Sequence, residues 1–299
     1  MKMVSRACPL CGASNRSRLF AEAHFDPRRL GAFAFASRKL PEYMHYRLVL
    51  CRVCDLLYAD PIPDPDTLAQ SYQLAAYDSA TESHYAARTY AAYLDKIICR
   101  LPDRAGALDI GTGDGAFLER LLDRGFTAVV GVEPSSAPIA AAEAKVRPLI
   151  RHGCFSPDDF PRGQLSMVSC FQVLEHLCDP LQVCRSAFEL LKKGGAFLSV
   201  IHNRCALSAR LLGLKSPIFD IEHLQLFSRR SVRILLQAAG FQNVRTWTLW
   251  NCYPASYWLR LSPLPRGDKG ALVGFARAAG LGRVPIALPA GNLAVAGFK

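Results

Sequence analysis

Three glycines at alternate positions, Gly111, Gly113 and Gly115, follow Asp109 in the segment LDIGTGDG. Glycine has no Cβ, so a turn built from it lets a ligand lie against bare backbone. A second apolar segment, VVGVEPS, carries Glu133, whose carboxylate can accept hydrogen bonds from both hydroxyls of a ribose. The sequence therefore predicts a binding site for a cofactor that contains a nucleoside.

The glycine spacing leaves the identity of that cofactor open. Gly111-x-Gly113-x-x-Ala116 also satisfies the dinucleotide fingerprint in its Gly/Ala-ended form. Asp109 favours a different ligand, because an acid two residues before the first glycine would repel a pyrophosphate at the helix N-terminus. S-adenosylmethionine carries an amino group, a sulfonium and a ribose but no phosphate. The carboxylate of Asp109 therefore favours S-adenosyl-L-methionine.

The elements that must position these residues are predicted by apolar periodicity. A short apolar run at 107–110 indicates a buried strand, and apolar residues at helical spacing over 117–122 indicate a helix after the glycines. In an open α/β sheet, ligands bind outside the carboxyl ends of the strands. That rule, applied strand by strand, selects these candidate cofactor-binding residues: Asp109, Gly111, Thr112, Gly113, Gly115, Glu133, Phe155 and Gln172.

This segment resembles the first motif of the class I S-adenosylmethionine-dependent methyltransferases, an acid followed by GxGxG. The resemblance continues, in order, through VSCFQVLEHL (168–177), LLKKGGAFLSVIHN (190–203), EHLQLFS (222–228), LLQAAGF (235–241) and GNLAVAGFK (291–299). It covers roughly residues 82–299. It implies an α/β fold, a Rossmann-like doubly wound seven-stranded sheet with an antiparallel edge strand, and methyltransferase activity.

Methyl transfer to oxygen or carbon needs a positioned base, and His176 and His223 are the candidate catalytic residues. Each histidine could instead serve only to cap or pack a helix. Some ubiquinone-type O-methyltransferases resemble this region but have a second carboxylate at the position of Gln172, and use the cluster to hold a divalent metal. This chain keeps Glu175 and His176 without that acid. A catalytic metal is therefore not expected, and Gln172 is assigned to the methionine end of the cofactor.

Two CxxC pairs lie near the N-terminus, Cys8 with Cys11 and Cys51 with Cys54. Two such turns complete a tetrahedral site of four sulfur atoms, which is typical of structural zinc. A redox dithiol is the alternative, although neither pair precedes a βαβ pattern. We expect a closed structural site without a catalytic role. The loop histidines between the pairs, at 24 and 45, are not expected to be ligands.

Three parts of the chain follow from these patterns. Residues 1–60 are predicted to form a zinc-ribbon-like module, 61–104 a helical linker or lid, and 105–299 the domain that binds S-adenosylmethionine. Within that domain 251–290 is longer than a hairpin needs, and its aromatic residues indicate a flap over an acceptor pocket or a dimer contact. The module and the segment 56–72 together resemble the leader of bacterial methyltransferases that tailor sugars, polysaccharides or secondary metabolites.

Composition and charge limit which acceptors and partners are expected. The chain has 299 residues and a formal net charge of +11, lacks an uninterrupted apolar run of transmembrane length and shows no signal-peptide pattern, so a soluble cytoplasmic protein is expected. The dispersed basic residues and the sequence FQVLEHL argue against a nucleic-acid base as acceptor. The favoured acceptor is a small molecule or a sugar, methylated on oxygen or carbon, with a homodimer possible. An rRNA or tRNA methyltransferase and a non-catalytic zinc-bearing interaction protein remain the alternatives.

Overall fold

The computed structural model describes residues 2–31, 34–36, 42–261 and 266–299, with the backbone alone at 266–269, 271 and 277. Parts of the predicted module (1, 32–33 and 37–41) and of the predicted flap (262–265) therefore lie outside the described residues. The N-terminal third contains β1 (Met3–Val4), β2 (Ser17–Ala21), β3 (Leu48–Cys51), β4 (Leu57–Ala59), β5 (Ile62–Pro63), α1 (Pro65–Gln73) and α2 (Ala80–Leu94).

The rest of the chain alternates strands and helices. The strands are β6 (Ala107–Ile110), β7 (Val129–Glu133), β8 (Ile150–His152), β9 (Leu165–Phe171), β10 (Leu191–His202), β11 (Gln225–Leu226), β12 (Gln242–Thr248), β13 (Asn251–Pro254), β14 (Pro285–Leu288) and β15 (Asn292–Phe298). The helices are α3 (Ala116–Leu122), α4 (Ser136–Ala141), α5 (Pro180–Leu190), α6 (Leu207–Leu212), α7 (Arg229–Ala238), α8 (Ala255–Leu261) and α9 (Arg266–Ala278). Short 3-10 helices add Pro27–Arg29, Ile98–Arg100, Arg147–Leu149, Pro157–Asp159, Gly213–Lys215 and Leu281–Arg283.

The main sheet has seven strands in the order β8-β7-β6-β9-β10-β15-β12. Strands β8, β7, β6, β9 and β10 run parallel to one another. Strand β15 is antiparallel to both β10 and β12. The predicted α/β, doubly wound seven-stranded fold is therefore confirmed. One detail differs: the antiparallel strand β15 lies one position in from the edge, because β12 pairs along its outer side and forms the edge itself.

Alternating side chains of the central strands fill two separate apolar layers. On β10, Phe197 and Ile201 pack on one face of the sheet with α5 and α7 residues, whereas Leu198 and Val200 pack on the other face with α2 and α3 residues. Both faces of a parallel sheet are buried when helices cover both sides. This double cover leaves the carboxyl ends of the strands as the place where a ligand can reach the sheet.

The N-terminal module is joined to the main domain by a shared sheet. Its four strands run in the order β11-β4-β3-β2, and β11 comes from far along the chain, pairing Gln225 with Tyr58 and Leu226 with Leu57. A separate pair, β1 with β5, extends the hydrogen bonding of the module to Pro63. The division into three parts remains a prediction, and the physical connection between the parts is extensive.

The segment 251–290 forms a hairpin with helices at its tip. Strands β13 and β14 pair antiparallel from Asn251 opposite Leu288 to Pro254 opposite Pro285, and α8 and α9 lie between them. The hairpin packs against α2, which also packs against α3. Within the part of the chain that the structure describes, no helix is both long and apolar enough to cross a bilayer.

Candidate functional site

The glycine turn between β6 and α3 is held in the left-handed region, with φ of +72° at Gly111, +59° at Gly113 and +75° at Gly115. A Cβ on Gly111 would collide with the side chain of Val173, whereas a Cβ on Gly113 would meet no described protein atom within 4 Å. Gly111 is thus required by packing inside the protein. Gly113 borders open space, as expected of backbone that faces a ligand.

Glu133, at the end of β7, is held by backbone donors. Its Oε2 accepts from the amide of Gly113 at 2.9 Å, and its Oε1 accepts from the amide of Ser135 at 2.9 Å. Each carboxylate oxygen has a second lone pair, so both can still accept a hydroxyl hydrogen. Burial raises the pKa of Glu133, while the two amide bonds lower it. The carboxylate is therefore fixed in one orientation next to the turn.

Asp109 lies at the end of β6 and is 2% exposed. One oxygen accepts from the Ser169 hydroxyl at 2.6 Å. Burial raises the pKa of Asp109 to about 6, against the lowering effect of hydrogen bonds from Ser169 and Thr112. A carboxylate with so few partners for its charge is suited to a cationic ligand.

Asp114 links the glycine turn to the segment before it in the chain. Its Oδ2 accepts from the Tyr77 hydroxyl at 2.6 Å and the Ser83 hydroxyl at 2.5 Å, and its Oδ1 accepts from the amide of Ala116 at 3.2 Å. The sequence analysis did not assign a role to Asp114. The signal in the sequence was an acidic residue between two glycines. Apolar packing would not bury such a residue.

A cavity of about 820 Å³ is lined by most of the predicted site residues. The predicted cofactor residues at its wall are Asp109, Gly111, Thr112, Gly113, Glu133, Phe155 and Gln172, and the two predicted catalytic histidines also line it. Gly115 does not line the cavity. It caps α3 in a left-handed conformation and packs near Val146 and Ile150, so its position is structural.

Gln172 follows β9 with a φ of +53°, and its side chain oxygen accepts from the Tyr90 hydroxyl of α2 at 3.2 Å. Tyr90 also stacks on Phe171, with ring centroids 4.5 Å apart. α2 thus contributes both a polar and an aromatic contact at this point of the cavity.

Three histidine rings line the other part of the cavity. The His223 ring lies 5.0 Å from that of His176 and 4.7 Å from that of His202, measured between centroids. His176 and His223 were predicted from the sequence as candidate catalytic residues, whereas His202 was given no role. The three come from β10 and from the loops after β9 and before β11, so local spacing could not bring them together.

A backbone carbonyl orients the ring of His223. Its Nδ1 lies 2.9 Å from the carbonyl oxygen of Ile218, and because a carbonyl can only accept, Nδ1 carries the hydrogen and the neutral ring has its lone pair on Nε2. Nδ1 of His176 lies 3.0 Å from both the carbonyl oxygen of Glu222 and the Tyr72 hydroxyl. Nε2 of His223 is 3.7 Å from Oε1 of Glu222.

Glu175, one residue before His176, is fully buried outside the cavity wall. Its Oε1 accepts from the amide of His202 at 2.6 Å, and its own carbonyl accepts from the amides of Leu224 and Gln225. Burial raises its pKa to about 8. Glu175 therefore connects the segments that carry the three histidines.

The hairpin closes the histidine part of the cavity with aromatic rings. Tyr253 and Tyr257 lie 4.2 Å apart between ring centroids, and Trp258 packs edge-on against both. All three line the cavity together with Leu261 and Leu288. This hairpin is the predicted flap, and it forms a wall of the cavity.

The four N-terminal cysteines converge. Sγ of Cys8 lies 3.4 Å from that of Cys54, Sγ of Cys11 lies 3.5 Å from that of Cys51, and all four sulfur atoms lie within 4.8 Å of one another. Zinc bound tetrahedrally at its usual distance separates sulfur atoms by about 3.8 Å. The donor set and spacing therefore fit a four-sulfur metal site. His24 and His45 pair through their backbones and are absent from this described cluster.

Arg6, two residues before Cys8, bridges the module and the histidine loops. Its guanidinium donates to the carbonyls of Ala59, Cys178 and Leu224 at 2.8 to 3.1 Å, and to the side chain oxygen of Gln225. Asp55, directly after Cys54, pairs with Arg204 and accepts from the Ser228 hydroxyl that caps α7. The cysteine cluster is therefore tied to the segments on both sides of His223.

Comparison with known proteins agrees with this geometry. A probable S-adenosylmethionine-dependent methyltransferase of Mycolicibacterium smegmatis is 29% identical over 162 residues, which cover 54% of this chain and 61% of the relative. A ubiquinone biosynthesis O-methyltransferase of Pseudomonas aeruginosa is 36% identical over 115 residues, which cover 34% of this chain and 49% of the relative. The chain thus spans between about half and three fifths of the length of these curated relatives.

Two solved methyltransferase structures can be aligned with most of this chain. A SAM-dependent methyltransferase of Archaeoglobus fulgidus has a TM-score of 0.49 and 16% identity, covering 79% of this chain and 100% of that one. A possible histamine N-methyltransferase of Thermotoga maritima has a TM-score of 0.46 and 20% identity, covering 71% of this chain and 91% of that one. A family model described as a methyltransferase domain matches residues 83–246, more than half of the chain. The chain belongs to this methyltransferase-domain family.

Proposed function

We propose that the protein is an S-adenosylmethionine-dependent methyltransferase that methylates a hydroxyl oxygen of a small-molecule acceptor. The observation that carries the proposal is one continuous cavity that joins the glycine turn and Glu133 to the histidine cluster. Its volume of about 820 Å³ is at the upper end of ligand sites, which span about 300–1,000 Å³, and is suited to a cofactor together with an acceptor. The relative named for O-methylation supports oxygen as the acceptor atom.

The residues at the β6 and β7 ends fit S-adenosylmethionine. Glu133 presents two backbone-oriented oxygens that can accept from ribose hydroxyls, and Gly113 leaves open space where a side chain would intrude. Asp109 presents a buried carboxylate for an amino group. When bound, the cofactor supplies an electrophilic methyl group on a sulfonium. Gln172 and Phe155 are assigned to the same part of the cavity, toward the methionine end and the adenine.

We assign the general base to His223. Its Nδ1–H is held by the carbonyl of Ile218, so Nε2 is the atom that accepts the proton of the acceptor hydroxyl. The carboxylate of Glu222, 3.7 Å from Nε2, then stabilises the imidazolium that forms. His176 lies beside this pair with its Nδ1 near the Tyr72 hydroxyl, at 3.0 Å, and orients the acceptor.

The acceptor is assigned to the part of the cavity between the histidines and the hairpin. That part combines the aromatic wall of Tyr253, Tyr257 and Trp258 with apolar Leu212 and Leu288. This chemistry suits a partly apolar molecule such as a phenol or a glycosylated compound more than a bare phosphate or a highly charged acceptor.

We further propose that the four cysteines hold a structural zinc ion. The ion would crosslink the two CxxC turns and, because four protein sulfurs close the site, would leave no position for a substrate. Through Arg6 and Asp55 the crosslinked turns support the loops that carry His176 and His223.

Calorimetry with the purified full chain tests the cofactor assignment. We expect S-adenosylhomocysteine to bind and NAD to give no heat, and we expect Glu133→Ala to weaken S-adenosylhomocysteine binding about 10- to 100-fold because two hydroxyl contacts to a charged group are lost. The exposed Glu189 offers the matched control, Glu189→Ala, which should bind as the unmodified protein does. Binding of NAD in preference to S-adenosylhomocysteine would overturn the assignment.

An assay of S-adenosylhomocysteine formation tests the acceptor class. A panel of phenols, sugars and glycosylated phenols is compared with total tRNA and rRNA under the same conditions. We expect turnover with members of the first group and none with RNA. Turnover with RNA alone would replace the proposed acceptor class.

A further inference from the structure

Exposed apolar side chains lie on α6, next to residues that line the cavity. Leu207 is 71% exposed and Leu211 is 77% exposed. The α6 residues one position further along, Ser208 and Leu212, line the cavity. Because residues four apart share one side of a helix, α6 presents one side to the cavity and a neighbouring apolar side to solvent.

The hairpin adds to the same surface. The hydroxyl of Ser208 donates to the carbonyl of Ala290 at 3.4 Å, so α6 lies against the end of the hairpin. Leu288, in β14, is 41% exposed and lines the cavity as well. We call the surface formed by α6, the 3-10 helix at 213–215 and β14 the mouth face. Exposed apolar side chains grouped in this way mark interaction sites.

The mouth face is also basic. By sequence, residues 205–219 carry two basic residues and no acid. Two further arginines near these segments are already paired, Arg204 with Asp55 and Arg260 with Glu82. Among the described side chains, Arg210, Lys215 and Arg283 are exposed. Leucine side chains interspersed with arginine and lysine are suited to a surface that is apolar below and negatively charged above.

We propose that the mouth face docks on an anionic lipid bilayer. The exposed leucines of α6 and β14 enter the boundary between headgroups and acyl chains, and the basic residues pair with lipid phosphates. The proposal goes beyond methyl transfer and does not depend on it. In the described chain no helix could span the bilayer, so the association is peripheral and reversible.

The charge of the face disfavours two other occupants. In a twofold dimer the same surface meets itself, so two mouth faces of like charge would repel one another. A nucleic acid would pair with the basic residues but would leave the exposed leucines of α6 in contact with water. A bilayer is the partner that satisfies both features.

Vesicle co-sedimentation of the purified full chain tests the proposal. The probes are vesicles of phosphatidylcholine and vesicles of phosphatidylcholine mixed with phosphatidylglycerol, at low and at high salt. We expect binding to the mixed vesicles that weakens as salt rises, and little binding to phosphatidylcholine alone.

Two sets of variants separate the apolar from the basic contribution. The double variant Leu207→Ser/Leu211→Ser should lower the vesicle partition coefficient about tenfold or more, since two large apolar side chains are removed from the lipid. Arg210→Ala and Lys215→Ala should each lower it about fivefold at low salt. Leu122→Ser, at a leucine of α3 that is 40% exposed and outside the mouth face, is the matched control and should bind unchanged.

Four results would overturn the proposal. The first is absence of binding to either vesicle by the unmodified protein, and the second is equal binding by the Leu207→Ser/Leu211→Ser variant. The third is a dimer, seen by light scattering, that the same double variant dissociates, since the mouth face would then be a self-interface. The fourth is salt-dependent binding to tRNA without binding to vesicles.

Discussion

The two parts of the cavity are built in different ways. The centre of the cofactor part, with Asp109, the glycine turn and Glu133, comes from one continuous stretch, β6 to the end of β7, and the Glu133 carboxylate accepts from the amide of Gly113. Phe155 and Gln172 are added from later loops. The histidine part is assembled from β10 and from two loops, and is supported from outside by Arg6 and Glu175. The first part is a local structure. The second exists only when distant segments are in place.

This difference means that the two parts should fail independently. Changes near His223 should reduce turnover and leave cofactor affinity intact, whereas changes in the glycine turn should affect cofactor affinity and stability together. Supports outside the cavity should affect the histidine part first.

The largest expected effect is on turnover in His223→Ala. Loss of the general base should lower kcat about 100- to 10,000-fold, since positioned proton transfer contributes about that much. The affinity for S-adenosylhomocysteine should change less than twofold. Initial rates with the fastest acceptor of the panel and calorimetry measure the two quantities.

The control is His24→Ala, at an exposed histidine of the N-terminal module, which should leave kcat unchanged. A parallel loss of cofactor affinity in His223→Ala would contradict the separation of the two parts.

Arg6→Ala should be the next largest in effect. The guanidinium is largely buried and its removal leaves three carbonyl oxygens without that donor, which should lower the free energy of unfolding by about 3 kcal/mol. Turnover should fall more than cofactor affinity, because two of those carbonyls belong to the histidine loops. Chemical denaturation measures the free energy of unfolding, initial rates measure turnover, and calorimetry measures cofactor affinity.

Arg18→Ala, in the same module but exposed on β2, is the matched variant and should be neutral. Equal loss of cofactor affinity and turnover in Arg6→Ala would show that the module supports the whole fold evenly.

Two glycines of the turn allow a matched test of the cofactor part. Both Gly111→Ala and Gly113→Ala incur the cost of a left-handed alanine, about 1 kcal/mol. Gly111→Ala should lose about 3 kcal/mol of stability in all, because its methyl group also meets Val173. Gly113→Ala should lose only the stability that a left-handed alanine costs. Its affinity for S-adenosylhomocysteine should fall about tenfold because the methyl group enters the cavity. Thermal unfolding and calorimetry distinguish them, and equal stability of the two variants would be inconsistent with this packing.

The smallest effect over a single pH unit is a pH dependence of the free energy of unfolding. Glu175 has a pKa of about 8 when folded and an ordinary value near 4.5 when unfolded. Between these values the folded state keeps a proton that the unfolded state releases, so stability falls as pH rises, by up to about 1.4 kcal/mol per pH unit. Glu175→Gln cannot titrate and should gain stability relative to the unmodified protein from about pH 5 to pH 8.

Urea denaturation at several pH values measures this difference. Glu189→Gln, at an exposed acid, should run parallel to the unmodified protein across the same range. A constant difference between Glu175→Gln and the unmodified protein would mean that Glu175 ionises normally in the folded state.

The elements around the cofactor part could be predicted because their information is local. Strand, glycine turn, helix and Glu133 follow one another within 107–133, and apolar periodicity predicts the strand and the helix. The cofactor was inferred from the carboxylate of Asp109, and the seven-stranded fold from the family resemblance. Gly115 is the exception there. Its left-handed φ was required by the cap of α3 and by packing, so a glycine pattern cannot separate ligand contact from backbone geometry.

The histidine part was predicted only in pieces. His176 and His223 were identified as candidates, but His202, Tyr72 and the supporting role of Arg6 depend on contacts between residues far apart in sequence. Likewise, β15 was expected at the edge because GNLAVAGFK resembles a closing edge strand, and nothing in that segment indicates that β12 pairs outside it. A single sequence carries no direct signal of such long-range pairing.

The strand borrowed from the main domain has a consequence for biosynthesis. β4 ends at Ala59, but β11, which covers its open side, begins at Gln225. At ribosomal rates of about 5–20 residues per second, the edge of β4 remains unpaired for roughly 10–30 s until β11 has been synthesised. During this interval the nascent chain exposes unpaired backbone groups of the kind that recruit chaperones or neighbouring chains.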